Sequence, residues 1–208
     1  KLGDNKNYSY GATAGYSLLS LMQKVLNFNT DFVEAPQGLN GDLNFRFKTK
    51  SGGFFKYYGM FNSNKMGVRS ESLKPGYDFS LVKLNGKNTF HNLSFKQKFG
   101  KYLLNVGGSY SYNRSDLHFS TETNDIESNR SQLLTDGNYV NFKAVLERKI
   151  NRISALRGGV ELNNTDENLN FETVRKHYKD LISSAFVETD LGFSNALSAK
   201  IGVRAEHS

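Results

Sequence analysis

The sequence predicts an all-β chain: an antiparallel up-and-down sheet forming the wall of a transmembrane β-barrel. Apolar and polar residues alternate with period two over segments long enough to cross a bilayer. Short and long connections between those segments alternate along the whole chain. No run of about 18 apolar residues occurs, so the chain has no candidate for a helical span.

The segment Tyr102–Asn113 shows the pattern most clearly. Tyr102, Leu104, Val106, Gly108, Tyr110 and Tyr112 fall on one face, and Leu103, Asn105, Gly107, Ser109, Ser111 and Asn113 on the other. From Tyr102 to Tyr112 a strand extends about 33 Å at roughly 3.3 Å per residue. Tilted by about 40°, it covers around 25 Å, the height of the apolar band on a membrane barrel, with a tyrosine at each interface.

The same alternation recurs elsewhere. Leu43, Phe45 and Phe47 alternate with Asn44, Arg46 and Lys48, and Leu93, Phe95 and Phe99 with Ser94, Lys96 and Lys98; Gln97 breaks the apolar set. Val140, Phe142, Ala144, Leu146 and Ile150 alternate with Asn141, Lys143, Glu147 and Lys149. Leu156, Gly158, Val160 and Leu162 alternate with Arg157, Gly159, Glu161 and Asn163, and Leu197, Ala199, Ile201, Val203 and Ala205 with Ser198, Lys200, Gly202, Arg204 and Glu206. Residues 54–61 are aromatic on both faces, so periodicity does not assign their sides. Leu104, Val106, Val160, Leu162, Leu197, Ile201 and Val203 are expected on the lipid side of one continuous sheet.

Tight turns are expected at Ser51–Gly52, Gly100–Lys101, Asn151–Arg152 and Ser194–Asn195, all on one rim. The polar segments 62–87, 122–137 and 164–180 read as long loops on the other rim, as does 22–39. Nine strands result, near 7–21, 41–50, 53–63, 88–99, 102–120, 138–150, 153–172, 181–193 and 196–206, with 77–84 as a short additional strand inside a loop. A bacterial single-chain barrel has an even strand number. Residues 1–208 are therefore expected to be a partial barrel domain, without a plug domain or the barrel's C-terminal part. The first and last strands, 8–21 and 196–206, are expected as unpaired edges within this chain that do not close on each other.

Composition narrows the function classes. Lys plus Arg number 27 against 20 Asp plus Glu, a formal +7, but the excess is spread rather than clustered, which argues against nucleic acid as a partner. The absence of cysteine excludes disulfides and thiolate metal sites. A mean hydropathy of −0.55 is compatible with membrane strands, whose two faces average out.

No catalytic, cofactor or metal site is legible, and the ligand-binding residues are unassigned. His91, His118, His177 and His207 lack ligand spacing and read as loop or lumen surface. Asp125 and Glu127, and Asp166 and Glu167, read as solvated loop charge, since the spacing of a calcium loop is missing. The Gly52–Gly53 pair reads as a turn, because no helix start or Lys-Ser/Thr follows it. Nothing marks an enzyme.

The lumen-side charges are more informative together: Arg46, Lys48, Lys96, Lys98, Lys143, Glu147, Arg157, Glu161, Lys200, Arg204 and Glu206 all fall on the polar face. Arg148 is the exception, on the apolar side near a short turn, where it can snorkel.

Several segments resemble the barrel of TonB-dependent outer-membrane receptors. They are Val33-Glu34-Ala35-Pro36 followed by Gly41-Asp42-Leu43-Asn44, then Gly52-Gly53-Phe54-Phe55-Lys56-Tyr57-Tyr58-Gly59, and the run Ala196–Glu206 ending Gly202-Val203-Arg204-Ala205-Glu206. The resemblance implies a barrel of about 22 strands with a plugged lumen. It further implies import of a scarce nutrient across the bacterial outer membrane. The implied partners are outer-membrane lipid, the receptor's own plug, an energy-transducing inner-membrane complex and a surface lipoprotein. The competing readings are an outer-membrane barrel with a structural or adhesive role, and a soluble carbohydrate-binding β-sandwich.

Overall fold

The computed structural model describes residues 3–4, 7–19, 31–193 and 197–208. They form one antiparallel sheet in which strand order equals chain order. A two-residue piece, β1 (Gly3–Asp4), precedes nine long strands. These are β2 (Tyr8–Leu18), β3 (Asp31–Lys48), β4 (Phe54–Glu71), β5 (Phe79–Phe99), β6 (Tyr102–Thr123), β7 (Ile126–Lys149), β8 (Ala155–Phe171), β9 (Val174–Gly192) and β10 (Ser198–His207). The sheet is open, and β2 and β10 do not pair with each other; the free edge expected at β2 instead carries β1, through the pairs Gly3–Tyr10 and Asp4–Ser9.

Register confirms the alternation. Cross-strand partners share a face, so the pairing can be followed across the sheet. Tyr10, Phe45, Tyr57, Leu93 and Gly108 form one row, which continues through Phe142, Leu162 and Ser183. Phe47, Phe55, Phe95, Val106, Ala144, Val160 and Ala185 form the next. Leu104, Ile201 and Val203 lie on the same face. The pairing also assigns the segment aromatic on both sides. Phe55, Tyr57 and Phe61 join the apolar rows, while Phe54, Lys56, Tyr58 and Met60 point the other way.

This face has nothing packed on it. Among the described residues only Leu81 and Ala155 are buried apolar side chains, whereas Leu43 is 49% exposed, Val160 48% and Val203 75%. A soluble domain of this size hides its apolar side chains in a shared core. A single sheet with no second layer is also incompatible with a β-sandwich.

The turns at one rim fall where expected, between β3 and β4, β5 and β6, and β7 and β8; residues 194–196 lie outside the described residues. Gly52 (φ 82°) and Gly100 (φ 59°) supply the left-handed conformation that the first two turns need. Gln97, the polar intruder on the apolar face, is consumed by the first turn. Its amide donates to the Ser51 carbonyl at 3.0 Å, and its Oε1 accepts the Ser51 hydroxyl at 3.0 Å.

The opposite rim corrects the sequence reading. The segments 62–87, 122–137 and 164–180 are mostly strand, not loop, and the strand at 77–84 is the start of the continuous β5. Likewise β3 begins at Asp31, inside a segment expected to be loop, and the rest of 22–39 before it lies outside the described residues. The hairpin tips are short: residues 72–78, 124–125 and 172–173. Asn124 (φ 50°) and Asp125 (φ 62°) make a two-residue turn with both centres left-handed, a conformation Asn and Asp tolerate. The reason for the miss is physical. Beyond the apolar band both faces are polar, so the period-two signal vanishes while the backbone ladder continues.

Candidate functional site

The functional surface of a wall is the face turned away from its apolar side. Every charged residue assigned to the polar face from sequence lies there by register. Lys56 joins them, having been hidden in the doubly aromatic segment. Arg148 lies on the apolar face as expected, and its guanidinium sits 5.8 Å from the ring of its cross-strand partner Tyr102, a cation–π contact the sequence did not reveal.

The polar face divides into three regions. On β7–β10 the charges are mutually paired. Arg157 Nε donates to Glu147 at 2.8 Å, and its Nη1 reaches Glu188 at 3.3 Å and Asp190 at 2.5 Å. Lys200 pairs with Glu188 at 3.0 Å, closing a five-residue network. One row away, Arg204 contacts Glu161 at 3.2 Å and Glu206 at 3.0 Å, and Lys143 lies 3.4 Å from Glu161. The run Gly202–Glu206 therefore contributes its Arg and its Glu to one network.

The second region is an amide row that sequence reasoning missed. Asn40, Asn62, Asn88 and Asn113 occupy one row across β3–β6. The Asn88 amide donates to the Asn113 carbonyl oxygen, and Asn141 donates likewise to Asn163 in a lower row. Next to the row, the Tyr139 hydroxyl donates to Glu167. A signal existed: Asn40 and Asn62 are equidistant from the turn at Ser51, as Asn88 and Asn113 are from Gly100–Lys101. In a meander, residues equidistant from a hairpin turn are cross-strand partners.

The third region, on β3–β5 near the short-turn rim, carries Arg46, Lys48, Lys56, Lys96 and Lys98. Among the described residues none of the five has a carboxylate partner; the Lys48 ammonium lies 5.9 Å from the centre of the Phe54 ring. A cleft of about 670 Å³ runs over this region and is lined by Arg46, Phe54, Lys56, Lys96, Val145 and Glu147 among others.

The histidines and loop carboxylates scatter, and among the described residues no group of three potential metal ligands converges. His91 corrects the expectation of loop or lumen. It sits on the apolar face in an aromatic column, accepting or donating at 2.8 Å with the Tyr57 hydroxyl and stacking 6.3 Å from Tyr110. His118 pairs with Asp116 at 3.1 Å and His177 with Asp166 at 3.0 Å. Asp166 and Glu167, adjacent in sequence, point to opposite faces.

Glu127 is no free loop charge. It accepts the Ser120 hydroxyl at 2.6 Å and lies 3.3 Å from Arg130 and 3.9 Å from Lys83. The Ser120 hydrogen bond, followed by these cations, holds its carboxyl below the ordinary value of 4.5. A depressed carboxylate stabilises the fold above its unfolded-state pKa, and that contribution is lost as pH falls through the folded value. Amide exchange over 120–131 is therefore expected to stay slow at neutral pH and to rise several-fold once pH falls below about 4.5. Ser120→Ala should shrink this rise, because the folded-state value moves back toward the ordinary one. Exchange independent of pH after correction for intrinsic rates would contradict this.

No family model matches the sequence, and no curated protein matches it. Solved structures do. The chain superposes on the copper transporter OprC with a TM-score of 0.68 at 12% identity, covering 92% of this chain and 32% of that one. It superposes on the ferric citrate transporter FecA, in its unliganded form, with a TM-score of 0.60 at 10% identity, covering 96% and 33%. The fold is that of an antiparallel β-barrel wall, as in these two transporters. At this identity the likeness concerns fold alone, and at that level the resemblance to TonB-dependent receptors holds. The barrel wall described here spans about a third of the length of these neighbours.

Proposed function

We propose that this chain is part of the barrel of a TonB-dependent outer-membrane transporter that imports a scarce nutrient. The apolar rows face outer-membrane lipid, and the polar face lines a lumen occupied by the protein's own plug, with energy supplied from an inner-membrane complex. The carrying observation is the continuous apolar face, nine strands wide, with nothing packed on it and a charged face behind. Each large aliphatic side chain left in water would forgo about 1.5–3 kcal/mol. Lipid removes that penalty, and a charged face against water removes the need for a second sheet. Copper and ferric citrate are carried by the two neighbours on one architecture, so the fold does not fix the cargo.

These 208 residues contain no cysteine, so cysteines introduced into them can be followed by peptide mass spectrometry of the intact protein in outer-membrane vesicles. Val106→Cys and Val203→Cys should react with a lipid-soluble maleimide and resist a charged, water-soluble one. Gly107→Cys and Ser109→Cys should show the reverse preference. Equal labelling of both pairs by the charged reagent would refute the membrane assignment.

A further inference from the structure

The polar face treats its charges in two ways. On β7–β10 the cations Lys143, Arg157, Lys200 and Arg204 all have carboxylates within 3.4 Å. At the same depth on β3–β5, Arg46, Lys56 and Lys96 have none among the described residues. The nearest carboxylate on β3, Asp42, accepts the Thr13 hydroxyl, and Glu147 in the cleft is held by Arg157 at 2.8 Å.

Arg46 and Lys56 are also directly opposite each other across β3 and β4. Like charges in that position destabilise a sheet. Lys96 sits diagonally, opposite Phe54 on the neighbouring strand pair, a diagonal step of about 7–8 Å. Three cations thus cluster on one part of the wall, and the carboxylate lining the cleft, Glu147, is taken by Arg157. Beside them, Phe54 and Val145 contribute apolar surface to the cleft of about 670 Å³, within the size range of small-molecule sites.

We propose that this cleft binds a small organic anion with an apolar body. Arg46, Lys56 and Lys96 hold the acid group, Arg46 supplying the forked geometry that suits a carboxylate or phosphate. Phe54 and Val145 cover the carbon body. The excess of positive charge along this cleft raises the local concentration of such anions. The proposal rests on the reading of this face as a lumen wall and adds the chemical class of a solute met there.

Lysine footprinting of the intact protein tests it, with an amine-reactive reagent read by peptide mass spectrometry. The probes are benzoate, phenyl phosphate and naphthalene-2-sulfonate, with benzyl alcohol and inorganic phosphate as controls. Lys56 and Lys96 should be reactive without probe and become protected several-fold by at least one aromatic acid. Lys200, ion-paired with Glu188 and outside the cleft, should not change, and benzyl alcohol should protect nothing. Arg46→Gln should raise the half-protecting concentration by about ten-fold or more, the loss expected for one hydrogen bond to a charged group.

Lys56 and Lys96 unreactive from the outset would mean that an acidic segment of the protein itself covers them, which overturns the proposal. Reactivity that no aromatic acid reduces also overturns it. Protection by inorganic phosphate as strong as by the aromatic acids would remove the apolar half of the assignment. Failure of the lumen reading itself would appear separately, in the cysteine experiment, which uses none of these lysines.

Discussion

Val160→Arg should destabilise the intact protein in lipid vesicles by about 2–4 kcal/mol, while Asn105→Arg should cost far less. Val160 lies midway along the apolar rows, between Ala144 and Ala185, so a guanidinium there is as far from either interface as this wall allows. Asn105 lies on the polar face, opposite Lys96 and Val145, where a cation meets water. Denaturant titration of folded protein in vesicles measures both. The pair shares chain and substituent, and strand propensities differ by no more than about 1 kcal/mol, less than the expected gap between the two faces. A soluble protein with a covered apolar layer would also suffer from Val160→Arg, but then the effect would persist in aqueous buffer without lipid. A cost for Asn105→Arg equal to that for Val160→Arg would contradict the orientation of the sheet.

Arg157→Met should cost about 1–3 kcal/mol, between the values for exposed and buried pairs, because solvent reaches part of this network. Arg157 is the only cation contacting Glu147 and Asp190 among the described residues, and it shares Glu188 with Lys200. Its removal leaves Glu147 on β7 and both Glu188 and Asp190 on β9 flanking the gap across a half-covered surface. Most of the loss is thus repulsion and desolvation of what remains, so Arg157→Met combined with Glu147→Gln and Asp190→Asn should recover much of it. The same vesicle titration decides the point. A triple variant no more stable than Arg157→Met alone would show that the arginine acts through packing of its stem.

How far the fold was legible follows from where the alternation is strong. Along Tyr102–Asn113 every residue declared its face, because lipid and water impose opposite demands at every second position. The short turns were equally legible, since Gly52 and Gly100 occupy left-handed conformations that few other residues accept. Above the apolar band the demand disappears. Asn64 with Gly86, and Lys65 with Asn85, are paired as regularly as any residues below them, yet in sequence they read as loop.

The charged residues of the candidate site were assigned to the right face by parity, except Lys56, whose aromatic neighbours on both sides masked its parity. Parity says nothing about partners. That Arg157 is surrounded by carboxylates, that Arg46 and Lys56 face each other, and that four asparagines share a row all depend on register between strands.

The sequence by itself determined the all-β class, the alternation of faces, the turns of one rim and the side on which each charge falls, because these follow from local periodicity and backbone conformation. The tertiary structure alone decided strand length beyond the apolar band, the face of Phe54–Phe61, and which charges neutralise one another and which do not. Those are properties of cross-strand neighbours that are distant in sequence, and only the hydrogen-bonded register brings them together.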